Sequence, residues 1–338
     1  MIKVLIVDDS AFMRMTIRKM LETDPDIKVI GVARNGVEAV KKTISLKPDV
    51  ITMDITMPDM DGIEAVENIM AKNPTPIIMI SATTNAGARA TVSALEKGAV
   101  DYISKEELNT DILLKKIRLA ADINNRMGKA SDKYSNIDDT QPPANDKVGQ
   151  NFSVVGIGIS TGGPKALNQV LPLLNTNLSA GILIAQHMPP LFTRSLAERL
   201  DSVSKVKVKE AQDGEKILPG NVYICPGGMH MAVERPGVIT LYPKSKFDYL
   251  YVPSVDLLMS SIGNIYGKEG LCIIMTGMGS DGLEGIKSAK KRGCYVLAQS
   301  EASSTIYGMP KAIIENNLQD EIVDLKNMAE RINCLCSP

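Results

Sequence analysis

Short apolar runs alternate with longer amphipathic stretches through the first 126 residues of the chain. The apolar runs read KVLIV, KVIGVA, DVITMD, PIIMISA and DYIS. Segments such as residues 12–22 and 36–46 lie between them and are typical of helices. Because strands and helices alternate at this pitch, the pattern predicts a parallel sheet covered by helices on both faces.

A polar stretch interrupts this pattern at residues 128–150, which read GKASDKYSNIDDTQPPANDKVGQ. With so few apolar side chains, and a Pro-Pro pair, the stretch cannot bury enough surface to offset the cost of ordering. The alternation then resumes with the strand-like runs FSVVGIGIS, AGILIAQH, VYICP, LCIIMTG and CYVLAQ. The sequence therefore predicts two doubly wound α/β domains, at residues 1–127 and 151–338, joined by a flexible linker at 128–150.

Composition narrows the class of protein. The chain has 338 residues, of which 44% are hydrophobic and 23% charged, as in ordinary globular proteins. A net charge of -1 gives no electrostatic reason to expect nucleic acid as a partner. The five cysteines show no zinc or disulfide spacing, and only Cys334 and Cys336 lie close together. Without a signal-peptide core or an apolar stretch of membrane-spanning length, we expect a cytoplasmic protein that does not insert into membranes.

Acidic residues follow two strands of the first predicted domain. Asp8 and Asp9 come directly after VLIV, and Asp54 comes directly after VITM. Since parallel strands end at one edge of a sheet, the three carboxylates converge there, where a shared Mg²⁺ would relieve their repulsion. Ser81 and Lys105 end two later strands and could hold the oxygens of a phosphoryl group. Any one of these aspartates alone would be explained as a helix or turn cap.

These residues resemble the receiver domains of two-component response regulators over about the first 120 positions. The resemblance rests on Asp8, Asp9, MDITMPDMDG around Asp54, Ser81-Ala82 and Lys105. It implies a flavodoxin-like fold in which Asp54 is phosphorylated while Asp8, Asp9 and Asp54 hold Mg²⁺. It also implies three supporting roles: Ser81 as the switch hydroxyl, Lys105 as the phosphate partner and Tyr102 as the aromatic that changes rotamer. Glu106 departs from the pattern, because receivers usually have proline after the lysine.

The second domain opens with VVGIGISTGGP, in which Gly156, Gly158 and Gly162 suggest a dinucleotide-binding loop. Such a loop needs an acidic residue about 20 positions later, at the end of the next strand, to hold the ribose. Here the next strand, AGILIAQ, is followed by His187 instead of an acidic residue. The sequence therefore disfavours a dehydrogenase, which would have to bind NAD detectably.

The string GISTG also matches the nucleophile elbow of α/β-hydrolases. In that fold the acid lies between the serine and the histidine in chain order. No acid at a strand end lies between Ser160 and His187. Pairing His230 with Asp201 or Asp213 would restore the order, but both aspartates lie in polar segments that we expect at the surface.

A triad in the order serine, histidine, aspartate fits better. Ser160 lies at a strand-to-helix junction, where helix N-terminal amides can stabilise an oxyanion. His187 ends an apolar strand, and Asp281 follows another in IIMTGMGSDG. All three are expected at one sheet edge, where a base can take the serine proton and an acid can orient the base. Alone, Ser160 would be interpreted as a helix cap and His187 as a structural histidine; together with the glycine loops they indicate a serine hydrolase.

From about residue 152 to 325 the chain resembles the chemotaxis protein-glutamate methylesterases, which have a Rossmann-like catalytic domain. The matching segments are STGGP, QHMPPLFTRSLAERL, EAQDGEKILPGNVYICPGGMHM, PSVDLLMSS, MTGMGSDG and AQSEASSTIYGMPKAII. The family's triad corresponds to Ser160, His187 and Asp281. By the same resemblance, the backbone amide of Met278 lies near the oxyanion, Thr161 supports the histidine, and His230 lines or supports the site. Residues 234–252 match less well.

The resemblance implies an enzyme that hydrolyses glutamate methyl esters, and deamidates certain glutamines, on the cytoplasmic helices of chemoreceptors. A chemotaxis histidine kinase would be the phosphodonor, with Mg²⁺ needed by the receiver and no cofactor needed by the esterase domain. The receiver would cover the catalytic edge until Asp54 is phosphorylated. The alternative is a phospho-dependent binding module with an inactive hydrolase domain. A DNA-binding regulator is disfavoured because nothing after the linker is basic.

Overall fold

The computed structural model of the protein describes residues 1–130 and 152–337, with the side chains of 125–130 excepted. The chain divides into two compact units, Met1–Asp146 and Lys147–Pro338, each with its own central sheet. Within the described ranges, no helix combines the length and the apolar character that crossing a membrane requires.

The first unit has a five-stranded parallel sheet in the order β2-β1-β3-β4-β5, which confirms the predicted flavodoxin-like fold. Its strands are β1 (Ile2–Val7), β2 (Ile27–Ala33), β3 (Val50–Asp54), β4 (Ile77–Ser81) and β5 (Asp101–Ser104). Its helices are α1 (Ala11–Leu21), α2 (Gly36–Leu46), α3 (Gly62–Lys72), α4 (Asn85–Glu96) and α5 (Thr110–Ala130). All five predicted strands are present.

Side-chain caps fix where helices of this unit begin. Ser10, Asn35, Asp61 and Thr84 each accept a hydrogen bond from the backbone N–H three residues further on. Such caps satisfy amides that have no partner inside the helix. Since Ser10 caps α1 and Asp61 caps α3, neither Asp8 nor Asp54 is a helix cap, although Oδ1 of Asp8 accepts the backbone N–H of Ser10 in a turn.

The predicted linker begins too early. Helix α5 runs to Ala130, so residues 128–130 are helical. The rest of the predicted linker, residues 131–150, lies outside the described residues. Gly128 is a weak helix former, but helix propagation is cooperative and continues past single weak residues. Composition alone could not place this helix end.

The second unit has a seven-stranded parallel sheet in the order β14-β13-β12-β6-β7-β9-β8. Its strands are β6 (Val154–Ile159), β7 (Gly181–Gln186), β8 (Lys207–Glu210), β9 (Asn221–Ile224), β12 (Gly270–Ile274), β13 (Tyr295–Gln299) and β14 (Glu321–Val323). Strands β10 (Met229–Arg235) and β11 (Val238–Pro243) form a separate antiparallel hairpin. The parallel fold is confirmed, whereas β8, β14 and the hairpin were not predicted.

Six α-helices of the second unit, among the described residues, connect and cover these strands. They are α6 (Gly163–Val170), α7 (Phe192–Val203), α8 (Val255–Tyr266), α9 (Leu283–Lys291), α10 (Met309–Glu315) and α11 (Leu325–Leu335). The chain runs outward from β6 to β7 on one side and from β12 to β13 on the other, so the strand order reverses between β6 and β12. In open parallel sheets, ligands bind beside the carboxyl ends of strands at such a switch point.

Glycines in β6 allow α8 to pack closely on the sheet. A Cβ atom at Gly156 would overlap the side chain of Ile262, and one at Gly158 would overlap Val255. Both contacted residues lie on α8 and are fully buried. These glycines are therefore explained by helix–sheet packing, which removes the remaining reason to interpret them as a dinucleotide-binding loop.

Candidate functional sites

The predicted acidic cluster forms at the carboxyl edge of the first sheet. One carboxylate oxygen from each of Asp8, Asp9 and Asp54 lies within 4.8 Å of the other two. Asp8 and Asp54 are buried, and the Oδ2 atom of Asp8 has no hydrogen-bond partner. A buried carboxylate oxygen without a donor, in a set of hard oxygen ligands, fits a divalent cation such as Mg²⁺.

The electrostatics of the cluster show the same need for positive charge. Burial raises the pKa of Asp8 to about 6, and the negative charge of Asp54 adds to this effect. Burial also raises the pKa of Asp54, although Lys105 opposes the rise. The Nζ atom of Lys105 lies 3.1 Å from Oδ2 of Asp54, while Oδ1 of Asp54 accepts a hydrogen bond from the backbone N–H of Ile55.

Ser81 and Tyr102 lie at the neighbouring strand ends. The Ser81 hydroxyl is buried and lies 3.3 Å from the carbonyl oxygens of Ala82 and Gly87, to which it donates. Tyr102 is 8% exposed, and burial raises its pKa well above the ordinary value. Glu106, in place of the usual proline, accepts hydrogen bonds from the backbone and side chain of Thr83. Lys105 contacts Asp54, whereas the switch roles of Ser81 and Tyr102 stay predictions.

In the second unit, Ser160 and His187 follow two adjacent strands. Ile159 is paired in register with Gln186, so the next residue of each strand is brought side by side. The His187 amide donates to the carbonyl of Ile159 over 3.1 Å, and the Ser160 amide donates to the carbonyl of Thr276 over 3.0 Å. The edge of the sheet therefore brings together the three strand ends that the sequence singled out.

The imidazole of His187 is hydrogen-bonded to the carboxylate of Asp281, with Nε2 2.7 Å from Oδ2. Both side chains are largely buried, with 10% and 6% exposed. Because Nε2 faces the acid, Nδ1 is the nitrogen left to act as a base. Nδ1 is buried and has no hydrogen-bond partner. The acid side of the predicted triad is therefore formed, while the hydrogen bond to Ser160 is not, as is common before substrate binds.

The start of α8 holds the carboxylate of Asp281. The backbone N–H groups of Val255 and Asp256 donate to it over 2.8 and 3.0 Å, and the hydroxyl of Ser254 lies 3.4 Å away. Burial raises the pKa of Asp281, but the hydrogen bond and charge of His187 and the two amides outweigh it, so the pKa lies below its ordinary value. Asp281 is therefore ionised at neutral pH and can orient the imidazole.

Asp256, in the first turn of α8, binds the backbone amides at the start of α9. Its Oδ1 accepts hydrogen bonds from the backbone N–H of Gly282 (2.9 Å) and of Gly285 (2.7 Å), at the start of α9. Asp281, just before α9, thus binds the first amides of α8, and Asp256 of α8 binds amides at the start of α9. This exchange fixes the backbone directly after Asp281.

Two residues of the site were missed by sequence reasoning. Gln186 is buried, and its Nε2 donates to the carbonyl of Ser160 (3.0 Å) and lies 3.3 Å from that of His187. A polar residue closing the apolar strand GILIAQ was an available signal. Tyr251 stacks on His187, with ring centroids 4.6 Å apart and planes at 7°. It falls in the segment that resembles the family least, so no motif pointed to it.

Thr161 and Met278 flank the candidate nucleophile. The carbonyl of Thr161 accepts a hydrogen bond from the Thr276 hydroxyl over 2.9 Å. Met278 follows Gly277, where a Cβ atom would come within 2.8 Å of the Ser160 Cβ. Both residues are therefore placed beside Ser160. The roles that the resemblance implies, Met278 near the oxyanion and Thr161 in support of the histidine, stay predictions.

His230 is fully buried in the hairpin. Its Nδ1 accepts the backbone N–H of Ser254 over 3.2 Å, and burial lowers its pKa. The two alternative acids accept hydrogen bonds from backbone N–H groups: Asp201 from that of Val208, and Asp213 from that of Leu241. His230 supports the residue that caps α8, which favours a structural role over that of the base.

Comparison with known proteins agrees with this geometry. The sequence pattern of the CheB methylesterase family matches residues 155–332, and that of the response regulator receiver domain matches residues 4–118. The chain belongs to the CheB methylesterase family. A protein-glutamate methylesterase/protein-glutamine glutaminase of Lawsonia intracellularis is 44% identical over 98% of both chains. One of the same name from Halalkalibacterium halodurans is 46% identical over 99% of this chain and 98% of its own.

A solved structure supports the fold of the CheB methylesterase domain. The crystal structure of the Thermotoga maritima CheB methylesterase catalytic domain matches with a TM-score of 0.52 at 39% identity. The matched region covers 55% of this chain and 99% of the Thermotoga maritima catalytic domain. The family and fold predicted from the sequence are thus confirmed, while the roles of individual residues rest on the geometry above.

Because Asp8 must be ionised to bind a cation, we predict that Mg²⁺ affinity depends on pH. The pKa of Asp8 is about 6. Lowering the pH from 7 to 5 protonates it and should weaken Mg²⁺ binding about tenfold. Isothermal titration calorimetry on the full chain measures this directly. Asp8→Asn should bind more weakly and respond less to pH in this interval. Equal affinity of the unaltered protein at both pH values would contradict the prediction.

Proposed function

We propose that this protein removes methyl groups from glutamate methyl esters of chemotaxis receptors, and deamidates glutamines there, under control of its receiver domain. The relatives that carry this activity in their names align over nearly the whole chain. The observation that carries the proposal is the hydrogen bond between His187 and a buried Asp281 beside Ser160. A hydroxyl, an imidazole and a carboxylate at adjacent strand ends are the groups that acyl transfer requires.

In the first half of the reaction, the Ser160 oxygen attacks the ester carbonyl of the substrate. Nδ1 of His187 takes the serine proton, and Asp281 stabilises the imidazolium that results. Backbone amides of Thr161 and Met278 hold the oxyanion of the tetrahedral intermediate. Collapse of that intermediate breaks the ester C–O bond, and His187 returns the proton to the departing methoxide. Methanol leaves, and the glutamyl group stays on Ser160 as an ester.

In the second half, water replaces methanol. His187 takes a proton from the water molecule, the resulting hydroxide attacks the acyl carbon, and the proton passes to the Ser160 oxygen as it departs. The product is a free glutamate carboxylate. A glutamine side chain follows the same steps with ammonia as the leaving group. Within these steps, every proton transfer is assigned to His187.

In the receiver, Asp54 would accept a phosphoryl group from a chemotaxis histidine kinase. Asp8, Asp9 and Asp54 would hold Mg²⁺, which neutralises charge during transfer, and Lys105 would pair with the phosphoryl oxygens. The buried cluster with one unpartnered carboxylate oxygen supports this assignment. Phosphorylation would relieve an inhibition of the esterase domain, a shift between two states of the chain. The enzyme would act in the cytoplasm, on the cytoplasmic helices of the receptors.

A binding module with an inactive hydrolase domain is the weaker candidate. Such a protein could keep the carboxylate to bind the first amides of α8. It would have no use for a largely buried imidazole on that carboxylate whose second nitrogen lacks a hydrogen-bond partner. The intact His187–Asp281 pair therefore favours turnover.

Ser160→Ala tests the esterase directly. Without the nucleophile, methanol release from methylated receptor should fall by about 10³-fold or more. Phosphorylation of the receiver should be unaffected. Ser153→Ala is the matched control, because Ser153 lies before the opposite end of β6 and is exposed. Substantial turnover by Ser160→Ala, measured under the same conditions, would refute the assignment.

Asp54→Asn tests regulation. With Mg²⁺ and a small phosphodonor such as acetyl phosphate, the unaltered enzyme should release methanol faster, whereas Asp54→Asn should stay at its basal rate because no acyl phosphate forms. Asp59→Asn, at an exposed acid nearby, is the control and should respond like the unaltered enzyme. An unchanged response of Asp54→Asn to the phosphodonor would show that Asp54 does not control the esterase.

A further inference from the structure

We propose that Tyr251 is a positioning residue for the catalytic base, holding the plane of the His187 imidazole through its ring face. The two rings are almost parallel, at 7°, with centroids 4.6 Å apart. The inference rests on the proposed function, since it concerns the base of that reaction. It assigns a role within the segment of the chain that resembles the family least.

The surroundings of Tyr251 hold its ring in place. The aromatic strap, defined here as residues 247–251 (FDYLY), packs Phe247 and Tyr249 against the buried His230. His230 in turn accepts the backbone N–H of Ser254, the residue that caps α8. The strap therefore packs on the hairpin directly, and His230 links it to the start of α8.

Tyr251 also reaches the glycine loop that precedes Asp281. A Cβ atom at Gly279 would lie 3.1 Å from the Tyr251 hydroxyl oxygen, and the backbone there has a positive φ of 80°. A side chain at position 279 would therefore be strained and would crowd the tyrosine. The ring extends from His187 to this loop and covers one face of the imidazole.

A single hydrogen bond does not fix an imidazole ring. The bond from Nε2 to Asp281 sets the position of one atom, but the ring can still tilt about that bond. The stack with Tyr251 supplies the second constraint, which keeps the unpartnered Nδ1 in one plane for Ser160. An aromatic face also attracts a cation, so the ring stabilises the imidazolium that forms during attack.

The phenol keeps this face uncharged. Burial raises the pKa of Tyr251 above its ordinary value, and the negative charge of Asp281 raises it further. The group therefore stays protonated over the range in which the enzyme works. Because the face rather than the hydroxyl contacts His187, phenylalanine should replace tyrosine with little loss.

The test compares Tyr251→Leu, Tyr251→Phe and Leu250→Ala. Leu250 is the neighbouring strap residue and is 87% exposed, so its truncation controls for general damage to the strap. For Tyr251→Leu we expect kcat to fall roughly 3- to 30-fold, the range of a partly desolvated cation–π contact, with KM nearly unchanged. The acidic limb of its kcat/KM profile should move to lower pH. Tyr251→Phe and Leu250→Ala should match the unaltered enzyme.

The imidazole signals provide a readout that does not depend on turnover. The chain has two histidines, so isotope-edited NMR gives two resolvable sets of ring signals. The stack should shift the His187 ring protons upfield in the unaltered protein and in Tyr251→Phe, and the shift should vanish in Tyr251→Leu. The His230 signals report whether the hairpin stays folded.

The outcomes separate the two proposals. Absence of methanol release from the unaltered enzyme would contradict the proposed function, while the ring signals would still decide whether Tyr251 holds His187. With an active enzyme, an unchanged kcat and pH profile in Tyr251→Leu would overturn the positioning role. Equal loss in Tyr251→Phe and Tyr251→Leu would overturn it as well, because the hydroxyl and not the ring face would then matter.

Discussion

The buried carboxylate of Asp281 is the feature on which the hydrolase site depends. An ionised carboxylate in a protein interior is costly unless hydrogen-bond donors replace its water. Here the first amides of α8 and the imidazole of His187 supply those donors. The helix end that makes Asp281 stable as an anion also fixes its position, so the orientation of His187 follows from the packing of α8 against the sheet.

That packing is set by residues with no chemical role. Gly156 and Gly158 let α8 approach β6 so closely that its first turn reaches the strand ends. Asp256 then binds the amides at the start of α9, which keeps the loop after Asp281 in place. The receiver shows the opposite case, a buried carboxylate with too few hydrogen-bond donors. There Asp8 is buried without enough donors, which raises its pKa and leaves an oxygen for a cation. The carboxylate of Asp281 is satisfied by protein donors, whereas that of Asp8 keeps an oxygen that fits a cation.

Much of this could be predicted from the sequence because strand ends of a parallel sheet meet at one edge. The positions of Asp8, Asp54, Ser160 and His187 follow from that rule alone. Other features depend on contacts between distant segments, which periodicity does not encode. The stack of Tyr251 on His187 requires a strap that reaches back over the sheet, and the choice of Nε2 for Asp281 depends on the rotamer of one ring. The hairpin β10–β11 and the short strands β8 and β14 carried too few residues of clear alternation to be predicted.

The most direct test of the central claim is the rate of methanol release by Asp281→Asn, measured together with the ¹⁵N signals of His187. Asparagine preserves the size of the side chain but removes its charge and replaces one of the two acceptor oxygens with an NH₂ donor. If the carboxylate fixes the imidazole with Nδ1 free, kcat should fall on the order of 10³- to 10⁴-fold. The ¹⁵N shifts should then show that the proton on Nε2 is no longer favoured. An enzyme that keeps kcat within a few-fold, with its imidazole tautomer unchanged, would contradict the account.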